Sequence, residues 1–425
     1  MFEKTLAKIF IAVRRVSGYS MKKQYKNKKI TLVSQVFYPE MSSTSQLFTS
    51  LMEEFTENGW EVEVVCGRIG RASVESDSLH NRMKINRIGI SINSNSRIIW
   101  RAIGYISFMA GLVKYFLLRR VNSKVIVLTN PPFNPMLFLL ISIFRNVSFD
   151  LFLLDIYPEG LERLKSGVLK KFIFLPWKKL NKISYRRCDA IYVLGRDMQN
   201  LITQDYGISE KKVIYLPHWS AIEPSCTVRF NETKASKRHN LQNKFVVQYS
   251  GNMGLWHDIE SLVRAANELK EYKSICFHFI GDGIRKIKAR NLASELGCDN
   301  IIWSPFVPLG DLHDSLSACH VSLISLRPEL KGIAVPCKLY GIMASGRPIL
   351  SAAPEGSELA LTLEEFRCGA NCRPGDFKSL ASEIKKNFHN RDLGETMGSN
   401  GYNALKENFL VEHAYHRLID IWAKY

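Results

Sequence analysis

The chain reads as an α/β protein of two Rossmann-like domains. From Ile30 onward, β-rich segments alternate with amphipathic helical ones, the order that builds a parallel sheet with helices on both faces. The alternation lapses after Pro217 in a polar, aperiodic stretch, and Phe245 begins a second series. At about 100–200 residues per domain, 425 residues accommodate both units.

In the first series, strands are expected at residues 30–37, 60–66, 84–90, 124–129, 150–156, 190–194 and 212–216. Ser43-x-x-Gln46 has the form of a capping box opening a helix, with Leu47, Leu51 and Phe55 on one face and Gly59 to close it. The second series predicts strands at 245–250, 275–280, 321–326 and 348–352. Its helices are expected at 258–272, 285–296, 311–318, 336–344 and 376–388, with a last amphipathic helix over 402–422. The resulting organisation is a basic leader (1–28), a first domain (29–217), a linker (218–243), a second domain (244–400) and a C-terminal helix (401–425). Residues 1–20 are read as a mobile leader, with a basic amphipathic helix as the alternative. They lack the small-residue cleavage site of a secretory signal.

Composition is ordinary except for charge. Hydrophobic residues make up 46% and charged residues 23%, which excludes long disorder, collagen and a polytopic membrane bundle. The nine cysteines include no C-x-x-C pair, so neither a disulfide framework nor a tetrathiolate zinc site is indicated, and a reducing compartment fits best. The net charge of +18 is concentrated in the first half: residues 78–149 hold ten Lys/Arg and residues 163–187 nine more, with no acidic residue in either stretch. Such asymmetry implies an anionic partner. Aliphatic bulk between the charges favours an anionic membrane surface over nucleic acid.

Neither long apolar run makes a convincing transmembrane span, which needs about 20 mainly apolar residues. Arg101 and Lys114 interrupt residues 98–118, and residues 133–144 are too few. Residues 98–120 are read as an interfacial helix flanked by Arg97, Arg119 and Arg120, and residues 133–144 as core.

The candidate chemistry lies at strand ends of the second domain, where open parallel sheets bind ligands. YSGNMG (249–254) and FIGDG (279–283) follow its first two strands, and their glycines would let backbone N–H groups approach a phosphate. VPCKLYGIMASGRPIL (335–350) opens a short helix with Lys338, a cation suited to a diphosphate. No Asp-x-Asp occurs, so a metal-clamped diphosphate is not expected and no metal site is assigned.

These words, with VSQVFYPEMSSTSQL, LLDIYPE (153–159), VLGRDM (193–198), LPHWSAIEP (216–224), GSELA (356–360) and PGD (374–376), follow one another over nearly the whole chain. In that order the sequence resembles the retaining glycosyltransferases of the GT-B fold, family four, and is most similar to the bacterial O-antigen and colanic-acid branch. The resemblance implies two Rossmann-like domains with a cleft between them. It also implies a nucleoside-diphosphate sugar donor, with UDP favoured, and a polyprenyl-diphosphate-linked acceptor. The place of work would be the cytoplasmic face of the bacterial inner membrane, with peripheral attachment.

Carried onto this sequence, the donor site would comprise Gly251, Asn252, Gly281 and Gly283, with Lys338 and Arg347 for the phosphates and Glu358 for the ribose. Ser43 lies in the turn that faces the donor diphosphate, and Asp155 and Glu159 are the catalytic carboxylates expected at the end of their strand. The chain departs from the family at the usual phosphate-binding Arg and Lys, which are Asn252 and His257, and at the paired glutamates, which are Ile333 and Gly341. For Ser43 and Glu358 the alternative role is helix capping. Two rival functions compete with sugar transfer: a nucleotide-sugar epimerase, which also pairs Rossmann domains, and a non-enzymatic basic adaptor on lipid or nucleic acid.

Overall fold

The computed structural model describes residues 28–424, apart from 41, 69–81, 92–97, 165–169 and 226–228. The leader over residues 1–27 and Arg97 therefore lie outside the described residues.

The first domain runs β1 (Lys29–Ser34), α1 (Ser43–Glu57), β2 (Glu61–Gly67), β3 (Lys84–Ile88), α2 (Ile98–Leu118), β4 (Lys124–Leu128), α3 (Asn134–Arg145), β5 (Phe149–Leu153), α4 (Glu159–Leu164), α5 (Lys170–Arg187), β6 (Ile191–Val193), α6 (Arg196–Gln204) and β7 (Val213–Tyr215). Its strands pair in parallel in the order β3-β2-β1-β4-β5-β6-β7. The central strands are buried on both faces, which is why VIVL and LFL read as apolar runs without alternation, with Lys124 and Asp150 entering the core as a pair.

After α7 (Lys234–Arg238) the second domain follows with β8 (Phe245–Ser250), α8 (Ile259–Glu268), β9 (Ile275–Ile280), α9 (Lys286–Glu295), β10 (Ile301–Ser304), α10 (Leu312–Ser317), β11 (Val321–Ser325), α11 (Lys338–Ala344), β12 (Ile349–Ala352), α12 (Glu358–Phe366), β13 (Gly369–Cys372), α13 (Phe377–His389), α14 (Arg391–Asn408) and α15 (Val411–Lys424). Its sheet order is β10-β9-β8-β11-β12-β13, again parallel. In each sheet the strand order reverses beside the first strand, between β1 and β4 and between β8 and β11. Ligands bind outside the carboxyl ends of the strands at such a reversal.

Several local expectations change. Ser42, not Ser43, is the N-cap of α1: its hydroxyl accepts from the Ser45 N–H at 3.3 Å, and Ser43 is the exposed first residue of the helix. With three serines and a threonine in the turn, several frames satisfy the capping pattern. Strands β10 and β13 are additional to the expected ones: β10 is a four-residue IIWS segment, only partly buried over its apolar residues, and β13 (GANC) carries no apolar run. The helix expected over 402–422 is two helices, α14 and α15, broken near Phe409; both are amphipathic, so periodicity does not reveal the break.

The break matters, since α15 turns back onto the first domain. Its Tyr415 and Trp422 pack on Phe55 of α1, with ring centroids at 4.9 and 5.6 Å. The Trp422 indole donates to the Tyr192 hydroxyl at 2.7 Å. That hydroxyl donates to Asp150, also at 2.7 Å, and Asp150 pairs with Lys124 at 2.7 Å. One apolar core thus continues from the first sheet through α11, α14 and α15, while a second fills the other face of the second sheet. The stretch between the domains is ordered at its start, where Trp219 is buried against Phe48.

Helix α2 is two-sided. Phe108, Leu112, Tyr115 and Phe116 are buried on the sheet, whereas Trp100, Ile103, Ile106 and Leu118 are exposed. The expectation that residues 133–144 are core holds for one side of α3 only, since Leu140, Ile143 and Phe144 are exposed. No helix among the described residues is long and apolar enough to cross a membrane.

Candidate active site

The loops after β8 and β9 interlock at the carboxyl edge of the second sheet. Gly251 N–H donates to the Ile280 carbonyl at 2.9 Å, Gly281 N–H to the Ser304 carbonyl at 3.0 Å, and Met253 N–H to the Asp282 carbonyl at 2.8 Å. A Cβ at Gly281 would stand 2.1 Å from the Gly251 carbonyl oxygen, so glycine is required there by the approach of the two loops as well as by φ +129°. The Gly251 and Gly281 N–H groups expected to approach a phosphate are therefore already occupied, because each extends its strand ladder by one residue.

What Gly251 leaves open is room for a cation. The Lys338 ammonium lies where a Cβ on Gly251 would come within 3.1 Å of it. It donates to the Tyr249 hydroxyl at 2.8 Å and sits 4.0 Å from the centre of that ring. Burial lowers its pKa to about 7. Nearby, His257 is held by the Ser325 carbonyl, 2.9 Å from its Nδ1, and burial beside Lys338 lowers its pKa to about 3. His257 is thus neutral at the position where the family carries lysine, and the positive charge beside the loop comes from α11. Asn252 is exposed, with its side chain between Gly254 and Gly283.

Arg347 is not part of this group. It precedes β12, so it lies at the amino edge of the sheet, beside the stretch of Cys319 and His320 that leads into β11. A helix that starts at the carboxyl edge returns the chain to the opposite edge, and a residue between helix and next strand cannot face the cleft. The expected phosphate contact at Arg347 is corrected on that ground.

Glu358, at the start of α12, is buried and accepts from the Arg196 backbone N–H at 2.7 Å, the Arg196 guanidinium at 3.0 and 3.1 Å, and the Tyr215 hydroxyl at 2.7 Å. Both of its oxygens are taken by first-domain donors, so it clasps the two domains in place of the expected ribose contact. Beside it, Gly195 admits the second domain: a Cβ there would come within 2.9 Å of the Glu358 side chain. Asp197 accepts from the Gly332 N–H at 2.8 Å.

The two expected carboxylates part company. Glu159 begins α4 with its side chain turned into the first domain, where it accepts from the Tyr206 hydroxyl at 2.6 Å and lies 3.6 Å from Lys178. It does not face the cleft, because the helix start rotates it inward. Asp155 sits on the domain contact. It forms an antiparallel bridge to Ala334, and the Ile156 N–H donates to the Ile333 carbonyl at 3.0 Å. Burial raises the Asp155 pKa to about 6, and no described residue pairs with its carboxyl. Ile333, where the family carries a glutamate, is itself buried in this contact.

Tyr249, Trp256 and Arg196 escaped sequence reasoning. Tyr249 lies inside the YSGNMG word and could have been singled out as an aromatic beside a phosphate turn. Arg196 could not, since its partner lies 162 residues away. Among the described residues no group of three or more His, Cys, Asp or Glu could hold a metal ion.

Residues 231–404 match the family Glycosyl transferases group 1. The chain carries a group 1 glycosyltransferase domain. Relatives of this chain include WbjE of Pseudomonas aeruginosa, named as a probable glycosyltransferase. It is 29% identical over 296 residues, which cover 69% of this chain and 73% of WbjE. WcaI of Escherichia coli K12, named for colanic acid biosynthesis, is 26% identical over 202 residues, covering 47% of this chain and 49% of WcaI. The chain superposes on HepE of Anabaena in complex with UDP at a TM-score of 0.71 and 14% identity, over 93% of this chain and 100% of HepE. On WaaG, a glycosyltransferase involved in lipopolysaccharide biosynthesis, the values are 0.69 and 12%, over 92% and 99%. The fold is GT-B.

Proposed function

We propose that this glycosyltransferase moves a sugar from a UDP-sugar to a polyprenyl-diphosphate-linked saccharide, with retention at the anomeric carbon. The product would enter a bacterial surface polysaccharide such as an O-antigen, at the cytoplasmic face of the inner membrane. The observation that carries the reading is the bridge between Asp155 and Ala334, which brings a first-domain carboxyl to the loop that leads into Lys338. Transfer develops positive charge on the anomeric carbon and negative charge on the departing diphosphate. A carboxyl and a cation brought toward one domain contact would suit those two charges.

In this reading Lys338 meets the diphosphate, Asp155 orients the acceptor hydroxyl, and the departing phosphate takes the proton. The UDP and UDP-glucose complexes of HepE support a UDP-sugar donor, and the names of WbjE and WcaI support polysaccharide assembly. No metal is assigned a role, so activity should persist in EDTA.

A thermal-shift panel of UDP-, GDP- and CMP-sugars identifies the donor, since a ligand that binds only the folded state raises stability by mass action. Transfer to a lipid-linked acceptor, with the anomeric configuration of the product read by NMR, then tests the reaction. Inversion at the anomeric carbon, or sugar isomerisation without an acceptor, would overturn the reading.

A further inference from the structure

Among the described residues, a broad apolar face of the first domain is left uncovered. Helices α2, α3 and α5 lie side by side on one face of the first sheet. Each buries one side and turns large apolar side chains outward: Ile106 of α2 is 67% exposed, Phe144 of α3 75% and Phe172 of α5 79%, with Ile173 and Leu175 beside the last. Patches of this kind on a soluble domain mark an interaction site.

Charge identifies the partner. Lys114, Arg145, Lys179 and Arg186 are exposed on the same three helices, Arg119 and Arg120 are exposed just after α2, and residues 78–149 and 163–187 contain no acidic side chain. A protein interface core is depleted of lysine and of charge generally. Basic side chains among aliphatic and aromatic ones suit anionic headgroups over acyl chains, where long basic stems lie along the apolar layer.

The face also leads to the cleft. Phe133, before α3, stacks on Trp177 of α5 with centroids 4.5 Å apart. Trp177 is followed by Tyr157 at 6.4 Å, nearly parallel, and Tyr157 by Trp256 of the second domain at 6.0 Å. Tyr157 is two residues from Asp155. A partly exposed aromatic row thus runs from the apolar face to the proposed catalytic carboxylate.

We propose that the face formed by α2, α3 and α5 docks on an anionic bilayer. The Phe133, Trp177 and Tyr157 row then guides the first isoprene units of the acceptor toward Asp155. This rests on the reading of a lipid-linked acceptor and names the surface that meets the lipid. It places α3 and α5 in the contact alongside α2, which alone was expected there.

The test is co-flotation of the full chain with vesicles of phosphatidylethanolamine and phosphatidylglycerol, against phosphatidylcholine alone, with UDP-sugar binding measured on the same preparations. Wild type should float with the anionic vesicles at low salt. The triple variant Phe144→Ser, Phe172→Ser, Ile173→Ser should lose at least roughly tenfold in bound fraction, since each large apolar side chain contributes strongly to insertion. Because those changes could disturb folding, Lys114→Glu with Lys179→Glu, both at exposed sites, should independently reduce flotation and its salt sensitivity. Wild type that ignores anionic vesicles, or variants that float like wild type, would overturn the docking surface whatever the outcome with UDP-sugars. A wild-type dimer that the triple variant converts to monomer, with flotation unchanged, would make the face a self-interface and also overturn it. Flotation without binding of any UDP-sugar would refute the function proposed above and leave the surface standing.

Discussion

Glu358 of the second domain accepts three hydrogen bonds from Arg196 of the first, one from the backbone N–H at 2.7 Å and two from the guanidinium at 3.1 and 3.0 Å. The carboxylate is buried and the guanidinium partly exposed. Removing one partner of such a pair leaves a buried charge uncompensated, the costly direction of change. Arg196→Ala should therefore destabilise the protein by about 3 kcal/mol, the low end of the range for buried pairs because Arg196 is partly solvated. Urea unfolding measures it. Unchanged stability would show that the Arg196 side chain adds nothing to the contact between the domains.

The glycines of the two interlocked loops should separate by what a Cβ meets. At Gly281 it strikes the Gly251 backbone at 2.1 Å, and at Gly283 the Met253 backbone at 2.5 Å, so alanine at either should cost stability first. At Gly251 it meets only the Lys338 side chain, at 3.1 Å. Gly251→Ala should consequently lower UDP affinity by displacing that ammonium, with a smaller loss of melting temperature than Gly281→Ala. Calorimetric UDP titration beside thermal unfolding distinguishes the two effects.

Lys338 is poised to take up a proton. With its pKa lowered to about 7 by burial, it is partly neutral at physiological pH, and a diphosphate beside it would favour the charged form. UDP binding above pH 7 should therefore consume up to one proton. Affinity should fall as pH rises through 7, at most about tenfold per unit. Titrations in buffers of different ionisation enthalpy read the proton directly. Lys338→Met should abolish the uptake and weaken UDP more than uridine.

Asp155 should trade stability for turnover. Its folded pKa, raised to about 6, lies above the unfolded value, so its contribution is fully favourable below about pH 4 and is lost as pH rises through 6. Asp155→Asn removes that penalty and should stabilise the protein at pH 7 to 8 by up to about 3 kcal/mol, with the gain vanishing near pH 4. The same change should lower kcat roughly 100-fold with donor binding nearly intact, and wild-type kcat should fall below pH 6 as the carboxyl protonates. An Asp155→Asn protein that is more stable yet transfers sugar at the wild-type rate would make the residue structural.

Glu159→Gln should act differently. Its side chain faces Tyr206 and Lys178 inside the first domain, so the loss should appear in stability more than in transfer. Melting curves and transfer rates compared with those of Asp155→Asn decide the assignment.

Local pattern determined the two-domain α/β plan, because alternating strand and helix periods and a polar interruption are properties of short windows. The glycine turns and Lys338 were legible for the same reason, as each sits within a few residues of its strand or helix start. Tertiary structure decided what those residues face. Arg347 lies at the wrong edge of the sheet because the chain reverses after α11, Glu358 is claimed by an arginine 162 residues away, and Glu159 is turned inward by the first turn of α4. The split of the last helix and the return of α15 onto Phe55 were equally invisible, since amphipathic periodicity says that a face is buried and not which domain buries it. Exposure of α3 and α5 belongs to this class too. An apolar run tells only that water is avoided, and whether a sheet or a bilayer takes its place depends on packing between segments far apart in the chain.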